Sequence, residues 1–234
     1  MEENKLTVGF IGDDHARGIF KKFIKDESVD HWVLMGDLVD NDPGFDVDDE
    51  FMIENLQDAI DFKRNNMDKV TLLIGNHSNS YIHMGDRSKM SSRYRSFIAM
   101  ELHDLYTFNA DCFQNAWQYK NVIASHAGIQ HNWFVNEFHG DLNENIADQL
   151  NNPKNEKQLE SLYDVGYIRG GRKNVGGIFW CDRSELLKPL KNFTQVVGHN
   201  RVKEITHFEK KNYNADVYFV DCLGSVEKYL KLEI

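Results

Sequence analysis

The chain has 234 residues, 41% of them hydrophobic, and a formal net charge of -10. That length can bury a substantial core, and no run approaches the roughly 20 apolar residues that span a bilayer. The acid excess works against nonspecific binding to nucleic acid or anionic membranes, because such binding runs on Lys and Arg neutralising phosphates. The opening residues, MEENKLTV, lack the basic start and apolar stretch of a signal peptide. Cys112, Cys181 and Cys222 are odd in number and form no CxxC pair, so free thiols in a cytoplasmic protein are expected. No repeat and no Pro/Gly/Ser-rich linker interrupts the chain, and one domain over 1–234 is expected.

In chain order, Leu6 to Ile11 reads as a buried strand ending at Gly12, followed by a helical pattern through Ile19, Phe20, Phe23 and Ile24. His31 to Met35 is a second strand ending at Gly36. Asp42, Asp46, Asp48, Asp49 and Glu50 then form an acidic loop leading into the first turn of a helix through Phe51, Ile53, Leu56, Ile60 and Phe62. Val70 to Ile74 is a third strand, ending at Gly75. This β-α-β-α-β order favours a parallel sheet. In the second half, Tyr119 to Ser125 is strand-like. Helical stretches around His131–Phe138 and Lys157–Tyr163 suggest a helical cap or rim over about 130–165. Thr194–Val197, Lys203–Phe208, Val217–Val220 and Tyr229–Leu232 are further strand candidates. The expected fold class is α/β, a two-sheet β-sandwich flanked by helices.

Five short islands follow strands: Asp13-Asp14-His15, Gly36-Asp37-Leu38-Val39-Asp40, Gly75-Asn76-His77, Ser125-His126-Ala127-Gly128 and Gly198-His199. Each alone is ordinary turn chemistry with solvated polar residues. Together they supply the ligands that two adjacent divalent metals need. In an extended segment Asp13 and His15 point the same way and reach one ion. The two oxygens of Asp37 can bridge two ions, with Asp40 available as a supporting partner. The carbonyl oxygen of Asn76 suits hard or borderline cations, and the adjacent His77 points elsewhere, toward a substrate. His126 and His199 each end a strand, where open α/β sheets place ligands. Mixed O/N ligation without thiolate points to Mn, Fe, Zn, Co or Ni. Such a pair of ions clamps an anionic oxygen and lowers the pKa of a bridging water, which is phosphoester hydrolysis chemistry.

This series resembles the calcineurin-like metallophosphoesterase superfamily, whose motifs run Asp-x-His, Gly-Asp-x-x-Asp, Gly-Asn-His, a later His and a Gly-His. Gly-Asp-Leu-Val-Asp at 36–40, His-Ala-Gly-Ile at 126–129, Val-Val-Gly-His at 196–199, Phe219-Val220-Asp221 and Phe179-Trp180-Cys181-Asp182 are most similar to bacterial and bacteriophage-type phosphoprotein phosphatases and symmetrical diadenosine tetraphosphate hydrolases. The resemblance implies a four-layer αββα fold and two divalent ions per chain, manganese first, with Fe, Zn, Ni and Co as alternatives. It implies that Asp13 and His15 bind the first ion, that Asp37 bridges, and that Asn76, His126 and His199 complete the second site. His77, oriented by Asp40, would protonate the leaving oxygen. The implied substrate is a phosphoprotein or a nucleotide, and the implied activity a serine/threonine-phosphatase-like phosphomonoesterase. A diadenosine tetraphosphate or other nucleotide hydrolase is the alternative. A metal-free interaction module on the same fold is the non-enzyme alternative.

Three positions depart from the family pattern. Asn41 stands where a phosphate-gripping Arg is usual, Ser78 where an acidic residue often follows Gly-Asn-His, and Arg201 where many members carry a second His. Substitute cations are then sought in the glycine-rich Arg169-Gly170-Gly171-Arg172 stretch, and at Arg17 and Arg201 beside the ligand islands.

Overall fold

Strand residues alternate between two hydrophobic environments, and that alternation sets the layers. The computed structural model describes residues 5–42 and 44–234; the acidic opening residues 1–4 lie outside them. The first sheet holds β1 (Thr7–Ile11), β2 (His31–Leu34), β3 (Val70–Leu73), β4 (Phe113–Gln114) and β10 (Leu230–Glu233), in the order β10-β1-β2-β3-β4. The second holds β5 (Ala116–Tyr119), β6 (Val122–Ser125), β7 (Thr194–Val197), β8 (Thr206–Lys210) and β9 (Ala215–Phe219), in the order β5-β6-β7-β9-β8. Val8, Phe10, Val33 and Leu73 of the first sheet share one buried cluster with Val122, Ala124 and Val196 of the second. Those side chains fill the space between the sheets.

The alternate residues face outward into helices. Ile11, Trp32, Leu34 and Leu72 pack with α1 (Phe20–Phe23), α2 (Asp49–Asn65) and α4 (Ala99–Phe108). Asp48 caps α2 by accepting from the Phe51 N–H, and Asp49 and Glu50 occupy its first turn, where the helix dipole favours acids. On the other side, Ile123 packs with Trp133 and Phe134 of a π-helical turn over Trp133–Glu137, with α5 (Ile146–Asn151) and with α6 (Glu156–Leu162). The helical stretch over 130–165 thus covers the outer face of the second sheet. The fold is α/β, with two mixed sheets flanked by helices. Among the described residues, no helix is long and apolar enough to cross a membrane. Cys112, Cys181 and Cys222 are free and buried.

Three local expectations change. Tyr119–Ser125 is not one strand: β5 and β6 form a tight antiparallel hairpin, and Lys120 turns the chain in the left-handed region at φ 50°. Gly75-Asn76 is not an isolated turn, because Gly75 precedes α3 (Asn76–Ile82) and Asn76 is its first residue. Asp42 does not join the solvated acidic loop but is 5% exposed.

The topology prepares one edge for function. β1, β2 and β3 are parallel, with Ile11 level with Leu34 and Leu34 level with Leu72. β6, β7 and β9 are parallel too, with Ser125 level with Val197 and Val197 with Phe219. Six carboxyl ends therefore open at the same edge of the sandwich, each directly before or within three residues of a polar island. Phe134 is fully buried in the outer layer, away from that edge. Phe134→Ala should cost about 3–4 kcal/mol, read as a lowered urea midpoint with little change in slope; a loss under about 1 kcal/mol would contradict the packing.

Candidate metal centre

Asp37 sits at the middle of the site. One carboxylate oxygen, Oδ1, accepts the His77 backbone N–H at 2.9 Å, and the other, Oδ2, lies 3.4 Å from His126 Nε2. Two groups of ligand atoms lie within 4.8 Å of one another: His15, Asp37 and His77 form one, and Asp13, Asp37 and His126 the other. Asp37 belongs to both. The segment after Asp13 is not extended, because His15 and Ala16 turn through the left-handed region at φ 46° and 53°. Asp37, Asp40 and His199 are left-handed as well, at 45°, 61° and 59°. Such backbone is costly for residues with a Cβ and persists where surrounding structure imposes it.

The donor set fits cations. His126 Nδ1 donates to the Met35 carbonyl at 2.8 Å, which turns Nε2 into the site. Nε2 lies 2.9 Å from Asn76 Oδ1 and 3.4 Å from Asp37 Oδ2, so three atoms able to ligate a cation converge. His15 Nδ1 likewise donates to the Asp40 carbonyl at 2.7 Å, the backbone anchoring common for metal-binding imidazoles. Asp13 Oδ2 accepts the His199 N–H at 2.9 Å, while Asp13 Oδ1 and His199 Nε2 are buried without a hydrogen-bond partner among the described residues. His199 Nδ1 lies 2.9 Å from Asn76 Oδ1.

Electrostatics follow the same geometry. Burial, with Asp221 and Asp37 nearby, raises the Asp13 carboxyl well above its ordinary range. Burial opposes the charge of Asp37 too, yet His126, His77 and His15 hold it well below the usual carboxylate range. Burial pulls His15 down to about 4 and His199 well below its ordinary value. Burial thus disfavours charge on Asp13, His15 and His199, and a bound cation would restore the carboxylate of Asp13 while leaving both imidazoles neutral, the state in which they ligate metals.

His77 has separate support. Its Nδ1 lies 2.7 Å from Asp40 Oδ2. Asp40 is fully buried and also accepts Tyr81 O–H at 2.5 Å and Ser91 O–H at 2.9 Å. Burial works against the His77 proton, but Asp37 and Asp40 outweigh it and raise the pKa. Burial and Asp40 keep the Tyr81 hydroxyl protonated far above its ordinary range. Ser78, beside His77, accepts the Tyr106 O–H at 3.0 Å.

A cavity of about 300 Å³ opens onto Asp13, His15, Asp37, Asn76, His77 and His199. Of the four arginines sought from sequence, Arg169 and Arg201 line it and Arg17 and Arg172 do not. Arg169 is held by Asp182 at 2.9 Å and Asn200 at 2.6 Å. Arg201 is half-exposed and clasps Asp42. Arg17 lies behind, in an adjoining cleft, bound to Asp42 at 2.7 Å. Arg172 borders a separate cavity with Lys173 and Lys188, on the far side of the Gly170-Gly171 pair that separates it from Arg169. Three cavity residues, Ser91, Ser92 and Arg93, escaped the sequence reading and carry no motif. Asp221, read only within the Phe219-Val220-Asp221 segment and given no role there, also lines the cavity.

The glycines before the ligands have a steric reason. A Cβ at Gly75 would stand 2.0 Å from Asp37 Oδ1, and one at Gly198 would stand 2.1 Å from Asp13 Oδ1.

The family model described as calcineurin-like phosphoesterase matches residues 6–221. A search of curated proteins finds no match. Among solved structures, the chain is similar to a cold-active protein-tyrosine phosphatase of a psychrophilic Shewanella species, with TM-score 0.57 and 20% identity over 97% of this chain and 75% of that one. It is also similar to a protein serine/threonine phosphatase from Saccharomyces cerevisiae, with TM-score 0.51 and 14% identity over 92% of this chain and 66% of that one.

Mn²⁺ at a hundredfold excess over its Kd should raise the melting temperature by roughly 5–10 °C, and Gly75→Ala should abolish that rise by displacing Asp37. An unchanged rise in the variant, followed by dye-based thermal melts, would contradict this account of the site.

Proposed function

Because this chain belongs to the calcineurin-like phosphoesterase family and is a phosphoester hydrolase, we propose that it is a phosphomonoesterase of the serine/threonine-phosphatase type, working with two divalent ions, manganese first. The observation that carries the reading is the convergence of acceptors on Asp37 beside a carboxylate-braced His77, with both facing one cavity. Asp13, His15, Asp37, Asn76, His126 and His199 would hold the ions. When bound, these supply charge neutralisation for the phosphoryl group and activation of water.

The chain's own residues do the rest. With Nδ1 committed to Asp40, Nε2 is the nitrogen that His77 turns to the substrate. In the protonated ring, Nδ1–H stays on Asp40 and Nε2–H passes to the departing ester oxygen. Tyr81 and Ser91 donate to the other positions of the Asp40 carboxylate and fix its plane. Arg169 and Arg201 present guanidinium groups to the phosphoryl oxygens.

With Mn²⁺ the protein should hydrolyse p-nitrophenyl phosphate. His77→Asn should lower kcat by about 10²–10⁴-fold while keeping the Mn²⁺-induced rise in melting temperature. Wild-type inactivity, or full activity in the variant, would contradict the reading. The two structural neighbours are named for different phosphoamino acids, so phosphotyrosine and phosphoserine peptides belong in the panel. Preferential cleavage of diadenosine tetraphosphate would move the assignment to nucleotides.

A further inference from the structure

Position 41 holds Asn in place of the expected Arg, yet a guanidinium reaches the same corner of the cavity from elsewhere in the chain. Residues 91–95 lie along residues 40–42, and every second one bonds to them. Ser91 Oγ donates to Asp40 Oδ2 at 2.9 Å and lies 2.9 Å from His77 Nδ1. Arg93 Nη1 donates to the Asn41 carbonyl at 3.1 Å and to Asp42 Oδ1 at 3.1 Å. Arg95 Nη2 donates to Asn41 Oδ1 at 2.7 Å and its Nη1 pairs with Asp49. Further bonds fix the segment: Ser91 N–H to Ser80 Oγ at 2.6 Å, Arg93 N–H to Ser91 Oγ at 2.9 Å, and Arg95 N–H to Tyr81 Oη at 3.1 Å.

Resting on the phosphomonoesterase reading, we propose that Arg93 binds the phosphate alongside Arg169 and Arg201, in the place the family gives to an Arg at position 41, with Asn41 as the anchor that holds its segment in place. Arg93 lines the catalytic cavity beside His77, its side chain is 27% exposed, and its charge reaches both His15 and His77. Only its Nη1 is committed to the protein; among the described residues Nε and Nη2 make no hydrogen bond. Pairing with Asp42 does not account for its presence. That carboxylate already holds Arg17 at 2.7 Å and the clasp of Arg201. Three guanidinium groups on one buried carboxylate leave positive charge at the cavity wall, which a phosphoryl dianion neutralises. The fork geometry of Arg supplies two parallel N–H donors, where Lys offers a point charge.

The arrangement also ties substrate grip to proton delivery. Ser91, two residues before Arg93, touches Asp40 and His77 together, so the phosphate contact and the acid are set by one segment.

The test uses Mn²⁺-loaded protein and inorganic phosphate as the probe. Kd is read by calorimetry, with KM and kcat for p-nitrophenyl phosphate read in parallel. Arg93→Gln should weaken phosphate binding and raise KM by about 10- to 100-fold, with melting temperature and bound Mn²⁺ at wild-type levels because Arg17 and Arg201 still hold Asp42. Arg93→Lys should fall between. Phosphate affinity and KM within twofold of wild type in Arg93→Gln would overturn the proposal. If that variant fails to fold, Arg93→Lys decides: intermediate affinity supports the proposal and wild-type affinity overturns it. Failure of the underlying reading looks different, since wild-type protein would then hydrolyse nothing.

Discussion

Around Asp37, oxygen and nitrogen atoms able to ligate a cation converge in a buried space. His126 Nε2 meets Asn76 Oδ1 and Asp37 Oδ2, Asp13 Oδ1 is buried without a partner, and Asp221 crowds Asp13. Buried groups arranged in this way need positive charge among them, supplied by protons or by a metal ion, because burial removes the water that would otherwise separate them. The rest of the site is organised to hold that arrangement. Parallel strands bring the islands to one edge, glycines at 75 and 198 make room for carboxylate oxygens, and left-handed backbone at His15, Asp37, Asp40 and His199 turns the side chains inward.

Residues 40–42 are the second organising element. The Asp40 carboxylate braces His77 while its carbonyl anchors His15, so one residue orients both a proton donor and a candidate ligand. Asn41 anchors the 91–95 segment, and Asp42 gathers three arginines. In the proposed function, metal binding, proton transfer and phosphate recognition therefore share one three-residue loop. A shift in that loop would be felt in all three functions, which explains why so many hydrogen bonds converge there.

The strands and the ligand islands were legible because they are local. Thr194–Val197 was placed to the residue, and β1, β2 and β3 to within one, from short β-branched runs bounded by glycine. Asp13, Asp37, Asn76, His126 and His199 were readable as polar residues at strand ends. What the sequence concealed was non-local. The left-handed turn at the non-glycine residues His15 and Ala16 is one that no propensity signals. Arg17 sits beside an island and Arg172 in the glycine-rich stretch, but both face other cavities. Arg93, more than fifty residues beyond Asn41, enters the cavity only because 91–95 folds back along 40–42. α4 went unread because its mixed polar and apolar residues give a weak stripe, and packing against α2 and α3 stabilises it instead.

Anomalous diffraction at the manganese edge from crystals soaked in Mn²⁺ tests the central claim most directly. The account predicts strong peaks on both sides of the Asp37 carboxylate, within coordination reach of Asp13, His15, Asn76, His126 and His199. An Asp37 neighbourhood without anomalous density at saturating Mn²⁺ would contradict it.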